Sequence, residues 1–336
     1  MRVLLLGGTR FLGRHVAEQA LAAGHDLTLL HRGRSATGLF PQARHLLADR
    51  DGDLSVLDGP QTWDAVIDTS AYVPRQVRAV AARLAGRVGQ YQMVSTISVY
   101  AEPLAAGMDE SAPRVVLDDP AVETVTGATY GGLKALCEDA AVDAFGPERV
   151  LLPRPGLIVG PHDPTGRFSW WVQRLLRGGD VLAPGPADAP VQFIDVRDLA
   201  AWLLRQAGTS NAGAFNLTGP IAPMTMGGFL ESARQALSPP ARLCWADGAL
   251  LLREGVQPWM GLPMWLPAGQ AQLMAVGIAR AAAAGLQCRP LAQTLHDTAA
   301  WLATDPPPPA AGAMARPAVG LPPDEEARLR ALSAGP

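Results

Sequence analysis

One lysine stands against 27 arginines in this chain of 336 residues, and that lysine is Lys134. Cysteine is nearly as scarce. Cys137, Cys244 and Cys288 are too few and too far apart for a disulfide framework or a thiolate metal cluster, so no metal is expected and a reducing, cytoplasmic setting is. No apolar run approaches the ~20 residues that cross a bilayer. The short run at the N-terminus breaks on glycines, which argues against a signal peptide and a membrane partner. With a formal net charge of −3 and no basic run, the chain lacks the electrostatic footprint of a nucleic-acid binder. The length suits one large α/β domain with a smaller lobe.

What is present begins at the N-terminus. The apolar run Arg2-Val3-Leu4-Leu5-Leu6 breaks on Gly7-Gly8-Thr9-Arg10-Phe11-Leu12-Gly13, and a helical pattern follows from Arg14 to Ala23. Strand, glycine-rich turn and helix form the setting in which backbone can approach a dinucleotide pyrophosphate while a helix N-terminus stabilises its charge. Gly24-His25-Asp26 ends that helix, and a second strand, Leu27-Thr28-Leu29-Leu30, follows at the βαβ distance. The end of that strand discriminates between cofactors. A carboxylate there binds the ribose 2′-hydroxyl of NAD, and arginine accommodates the 2′-phosphate of NADP. The sequence reads His31-Arg32-Gly33-Arg34-Ser35, without a carboxylate. Arg32, supported by Arg34 or Arg10, favours NADP(H), with NAD(H) as the alternative; a solvated basic turn is the simpler reading.

Lys134 lies four residues after Tyr130 in Thr129-Tyr130-Gly131-Gly132-Leu133-Lys134. On a helix this spacing places phenol and ammonium on one face, a turn apart. A nearby ammonium favours phenolate and lowers the tyrosine pKa, and a compact ammonium suits this better than a planar guanidinium.

These segments resemble the extended short-chain dehydrogenases/reductases, the NAD-dependent epimerase/dehydratase superfamily. The resemblance follows the order of segments over about the first 300 residues and is specific over the first 160 or so. It implies a doubly wound parallel Rossmann sheet with a smaller C-terminal substrate lobe. It also implies a catalytic set of Thr96, Tyr130 and Lys134, with Ser95 and Ser98 as rivals for the hydroxyl. Tyr130 would exchange a proton with a substrate oxygen that Thr96 holds, and Lys134 would reach the nicotinamide ribose. The segment Val94–Tyr100 is similar to the family's fifth strand, and Trp63–Ala71 to its fourth. The cofactor set carried over comprises Gly7, Thr9, Arg10, Phe11, Leu12 and Gly13 in the turn, and Arg32 and Arg34 after the second strand. To these it adds Asp49 and Arg50 near the adenine, Thr69, Ser70 and Ser95 at strand ends, and Pro155 and Leu157 beside the nicotinamide.

Departures from the pattern bear on the substrate. Arg10 replaces the family's middle glycine. Leu157 stands where nucleotide-sugar enzymes carry asparagine, and Val191-Gln192 where many carry Arg-Asp, the arginine binding the diphosphate. Ile97 and Ser98 replace the acidic pair of sugar 4,6-dehydratases. The reading that follows is an NAD(P)-dependent oxidoreductase, NADP favoured, acting on a carbonyl or secondary alcohol of a small metabolite of cyclic type. An NAD-retaining sugar epimerase and a non-catalytic nucleotide sensor are the alternatives. Residues 1–161 and 191–219 are assigned to the nucleotide domain, and 162–190 and 220–304 to the lobe. Residues 305–336 are assigned to a stiff proline/alanine-rich linker and a tail in which Pro323–Leu332 forms a short helix. The stretch Pro258–Pro267 offers either a lid or a packing patch, and the alanine-rich face of Tyr130–Phe145 a surface for a homodimer.

Overall fold

The computed structural model describes residues 1–34, 38–238, 240–304 and 319–333. The linker expected at 305–313 and Ser35 lie outside the described residues. The first half of the chain runs through β1 (Arg2–Leu6), α1 (Phe11–Ala22), β2 (Asp26–His31), β3 (Arg44–Leu47), β4 (Trp63–Asp68), α2 (Pro74–Leu84), β5 (Val88–Met93), α3 (Tyr130–Phe145) and β6 (Val150–Pro155). Then come β7 (Leu157–Val159), α4 (Arg167–Leu176), β8 (Gly179–Pro184), β9 (Pro190–Val191), β10 (Phe193–Asp195), α5 (Val196–Gln206) and β11 (Gly213–Leu217). The remainder holds β12 (Met224–Thr225), α6 (Met226–Leu237), β13 (Ala241–Ala246), α7 (Gly248–Arg253), α8 (Ala279–Ala283), α9 (Leu291–Thr304) and α10 (Pro323–Ser333).

Seven strands form one sheet in the order β11-β6-β5-β4-β1-β2-β3, every pair parallel. Strand order reverses between β1 and β4, and the crevice at the C-terminal edge of such a reversal is where doubly wound sheets bind ligands. Helices cover both faces. The apolar residues of β1 alternate between them: Val3 and Leu5 pack with α1 and α5 against Trp202 and Phe215, while Leu4 and Leu6 pack with α2 and α3 against Tyr91 and Phe145. A strand buried on both sides reads as a continuous apolar run, as Val3–Leu6 does.

β5 lies earlier than the sequence suggests. The strand is Val88–Met93, and Val94–Tyr100 is instead its exit, ending in a 3₁₀ turn at Ile97–Val99 that the Thr96 side chain caps at Ser98 N–H. Two glutamines hide the strand. Gln90 and Gln92 are buried, and their amides donate to the carbonyls of Asn211 and Leu203, a pairing invisible to an apolar pattern.

The lobe has its own core around Phe168, Trp171, Phe229, Met264 and Trp265, all essentially fully buried. The Trp/Met/Pro stretch is therefore packing rather than a lid, Leu262, Met264 and Trp265 all lying inside. Ala281 and Leu286, from the stretch assigned to the lobe, pack into the nucleotide-domain core instead. The tail docks: Leu329 of α10 is buried, and Glu326 is inserted against the guanidinium of Arg174, with Nε 2.7 Å from Oε2. Ala135, Ala140 and Ala141 of α3 are buried within the protomer, and Ala144 of the same helix is exposed.

Candidate active site

The glycine turn is built by exclusion of side chains. A Cβ on Gly13 would lie 2.1 Å from the carbonyl oxygen of Gly7, so only glycine lets α1 start this close to the end of β1. Gly7 itself has φ +96°, and a Cβ there would lie 2.8 Å from Thr69 Oγ1. Thr9 and Leu12 are buried against this turn, and Arg10 is exposed with extended backbone at the helix N-cap. Phe11 opens α1 at φ +34°, a strained value for a residue with a side chain. The cradle fits a dinucleotide pyrophosphate, because a wall without Cβ atoms and a helix N-terminus meet at the strand reversal. Gly13→Ala is expected to push α1 off the turn and weaken dinucleotide binding tenfold or more, at least about 1.4 kcal/mol. Titration of reduced-nicotinamide fluorescence measures this, and unchanged affinity would contradict the close-approach argument.

Beneath the turn lies a buried ionic cluster that no sequence motif announces. Asp68, at the end of β4, is wholly buried and accepts from both Nη atoms of Arg50 at 2.8 and 2.9 Å, the Tyr91 hydroxyl at 2.8 Å and Ser70 N–H at 3.0 Å. Burial alone would raise the Asp68 carboxyl; the Arg50 guanidinium outweighs it and holds the carboxyl below the usual range. Arg50 also donates to Ser70 Oγ and the Gln76 carbonyl, so its guanidinium is engaged here rather than placed against an adenine. Its role is to hold Ser70 beside the glycine turn, where Thr69 Oγ1 donates to the Leu6 carbonyl at 2.9 Å.

At the end of β2, Arg32 is exposed and makes no hydrogen bond or ion pair among the described residues. Arg34 is 73 % exposed and only 4.0 Å from Asp49 at the end of β3. Both arginines are thus available to an anionic ligand at the edge of the crevice.

The candidate proton-transfer set assembles where the exits of β4 and β5 meet the start of α3. Tyr130 opens α3, and its phenol lies beside the Thr96 hydroxyl on the exit from β5. Thr96 Oγ1 also donates to Ser98 Oγ at 3.2 Å, whereas the Ser95 hydroxyl is buried without a partner among the described residues. Of the three rival hydroxyls it is Thr96 that meets the phenol. Lys134 is buried and donates to the carbonyls of Ala71 at 2.7 Å and Val94 at 2.6 Å, closing the gap between the exits of β4 and β5. The expectation of a lowered tyrosine pKa is not met in the free protein. Burial and the neighbouring phenol of Tyr72 push Tyr130 up to about 12, against the lowering influence of Thr96. Burial likewise pushes the Lys134 ammonium down. Helical spacing put the two groups on one face, but the lysine's long stem carries its charge to backbone carbonyls.

A sequence model described as "NAD dependent epimerase/dehydratase family" matches residues 3–217, well over half of the chain. The chain belongs to this family. Its relatives include the epimerase family protein SDR39U1 of Bos taurus, 25 % identical over 256 residues that cover 72 % of this chain and 82 % of that protein. Among solved structures, the Bordetella bronchiseptica enzyme WbmH in complex with NAD+ superposes with a TM-score of 0.67 at 17 % identity, over 91 % of this chain and 99 % of that one. UDP-glucuronic acid 4-epimerase from Bacillus cereus, in complex with NAD, gives 0.66 at 14 % identity, over 94 % and 100 %. At such identities the structural likeness establishes the fold.

Pro155 ends β6 buried, and Leu157 opens β7 beside Phe193. Val191 is buried, and Gln192 is locked at both ends of its amide, donating to the Val276 carbonyl and accepting from Val276 N–H. Three residues that sequence reasoning missed support the centre. Tyr72, 48 % exposed, lies with its ring centroid 6.0 Å from Lys134 Nζ. Glu138, one turn beyond Lys134 and wholly buried, accepts from Arg154 at 2.7 and 2.9 Å and so ties α3 to the end of β6. A cavity of about 660 Å³ opens in the lobe between Pro186, Trp245, Leu252 and Pro267, and none of the catalytic candidates line it. Among the described residues no group of three or more potential metal ligands occurs, and no helix is long and apolar enough to cross a membrane.

Proposed function

We propose that this chain is an NADP(H)-preferring oxidoreductase acting on a carbonyl or secondary alcohol of a small metabolite. The observation that carries the proposal is the Tyr130 phenol beside the Thr96 hydroxyl with Lys134 on the same helix face, at the strand ends that border the glycine cradle. A dinucleotide held in that cradle would supply or accept the hydride. Tyr130 gives its phenolic proton to the substrate oxygen in reduction and takes one in oxidation, and Thr96 Oγ1 fixes the same oxygen. Lys134 is the residue that would hold the nicotinamide ribose hydroxyls.

The substrate side supports a reductase over a nucleotide-sugar enzyme. With Val191 buried and Gln192 locked onto Val276, no cation stands there to meet a diphosphate, and a buried diphosphate without charged partners is costly. An NAD-retaining epimerase is the second reading, favoured by the epimerase with NAD among the superposing structures. Mass spectrometry of the cofactor released from purified protein separates the two: exchangeable NADP(H) supports the reductase, and stoichiometric retained NAD supports the epimerase.

The NADP preference is tested at Arg32. Arg32→Asp exchanges the 2′-phosphate partner for a repelling carboxylate, so NADP affinity falls by about 10–100-fold, the weight of a charge-assisted hydrogen bond, while NAD affinity changes little. Equal changes for the two cofactors would remove the assignment. We also propose a homodimer, for which light scattering gives the mass.

A further inference from the structure

His31, the last residue of β2, and His45 on β3 form a hydrogen-bonded pair with Nε2 of His31 2.8 Å from Nδ1 of His45 and the rings nearly perpendicular at 87°. The bonds on either side decide where the hydrogens are. The backbone N–H of Gly33 can only donate, and it lies 3.1 Å from His31 Nδ1, so that nitrogen is an unprotonated acceptor. His31 must then carry its hydrogen on Nε2 and donate to His45 Nδ1. His45 in turn carries its hydrogen on Nε2 and donates to the Phe40 carbonyl at 3.0 Å. Three bonds run in one direction, and only two neutral imidazoles satisfy all of them.

The first of these bonds closes a ring around a single residue, Arg32, because it joins the side chain of residue 31 to the backbone of residue 33. Gly33 completes the turn at φ +69°. We propose that His31 and His45 are positioning residues for the adenosine end of the dinucleotide: their hydrogen-bond chain sets the Arg32–Gly33 turn, and a proton on either ring releases it. This rests on the assignment of the 31–34 turn to the cofactor.

Protonating His31 sets Nδ1–H against Gly33 N–H, and protonating His45 sets Nδ1–H against His31 Nε2–H. The charged neighbours are Arg44 on β3 and Arg32, Arg34 and Asp49 on the adjoining loops, while β1 brings only Leu6. Burial, then the neighbouring His45, lowers the His31 pKa from its ordinary value. A histidine depressed in the folded state keeps its contribution above the unfolded value of ~6.5 and loses it as pH falls below that value. The turn is therefore set at neutral pH and released in acid.

The test measures Kd for NADH by fluorescence from pH 8 to 5.5 in wild type and in variants. NADH is the probe because the 2′-phosphate of NADPH carries its own ionisation near ~6. Wild-type affinity is expected to fall about tenfold across this range, the weight of one hydrogen bond from the backbone of the turn to the adenosine ribose. The double variant His31→Gln/His45→Gln keeps one acceptor and one donor at each position without titrating, so it should bind as wild type at pH 8 and show no fall. His45→Phe should bind weakly at every pH. Nitrogen-15 shifts of the two rings at pH 7.5 should report neutral Nε2–H tautomers. A flat wild-type profile, an inflection that survives in the double glutamine variant, or an Nδ1–H tautomer overturns the inference. A protein that binds NADH better than NADPH but keeps this pH profile fails only the NADP assignment. One that binds neither at pH 8 overturns both.

Discussion

Tyr130→Phe lowers turnover by a factor on the order of 10²–10⁴, the contribution of a positioned acid/base, and leaves dinucleotide affinity nearly unchanged. The phenol is the group beside the Thr96 hydroxyl, with the Tyr72 phenol as its neighbour. Burial holds the phenol at about 12 in the free protein, so its working ionisation must be brought down by what binds beside it. The kcat profile, which reports the complex, should therefore show a group titrating well below the ~10 of free tyrosine. Oxidation rises with pH through this group, reduction falls, and both dependences vanish in Tyr130→Phe. More than about a tenth of wild-type turnover in that variant would remove Tyr130 from the chemistry. Lys134→Arg probes the other half of the pair. The slot between the Ala71 and Val94 carbonyls suits an ammonium, and a planar guanidinium there misplaces the charge, so chemistry and ribose binding should both suffer. A fully active Lys134→Arg protein would make the lone lysine a coincidence.

The second large effect concerns stability. Glu326→Ala should cost about 3–5 kcal/mol in denaturant unfolding, because it strands Arg174, a buried cation, in the lobe core. Arg174 keeps only the carbonyls of Gly178 and Asp180, and the Leu182 N–H loses the carboxylate oxygen it donates to at 2.9 Å. The double replacement Arg174→Met/Glu326→Met removes both charges and should recover much of the loss, since an apolar pair of similar volume often matches a buried ion pair. Hydrogen exchange at Leu182 locates the damage in β8. A loss below about 1 kcal/mol for Glu326→Ala would mean that the tail contributes little to the lobe.

Much of this architecture could be read before the structure was seen, for physical reasons particular to each segment. Gly7 and Gly13 were legible because a Cβ at either position collides with the turn, leaving a mark in composition. Tyr130 and Lys134 were legible because helical spacing turns sequence separation into proximity. β5 was misplaced because Gln90 and Gln92 donate to carbonyls more than a hundred residues away, so a buried strand looked polar. Val94–Tyr100, rich in β-branched and hydroxyl residues, looked like the strand it only leaves. Asp68 with Arg50, Glu138 with Arg154 and Arg174 with Glu326 had no local signal, the last pair being 152 residues apart. The engagement of Arg50 had no local signal for the same reason: its partner Asp68 lies on another strand.

The burial of Lys134 between two backbone carbonyls makes this protein its own chemical reporter. An amine-directed reagent finds one side-chain target in the whole chain, and that target sits at the seam between the exits of β4 and β5. Reductive methylation with a carbon-13 label would place a single side-chain resonance there. Its rate of modification would count how often the seam opens, and its shift would register whatever comes to rest against the tyrosine.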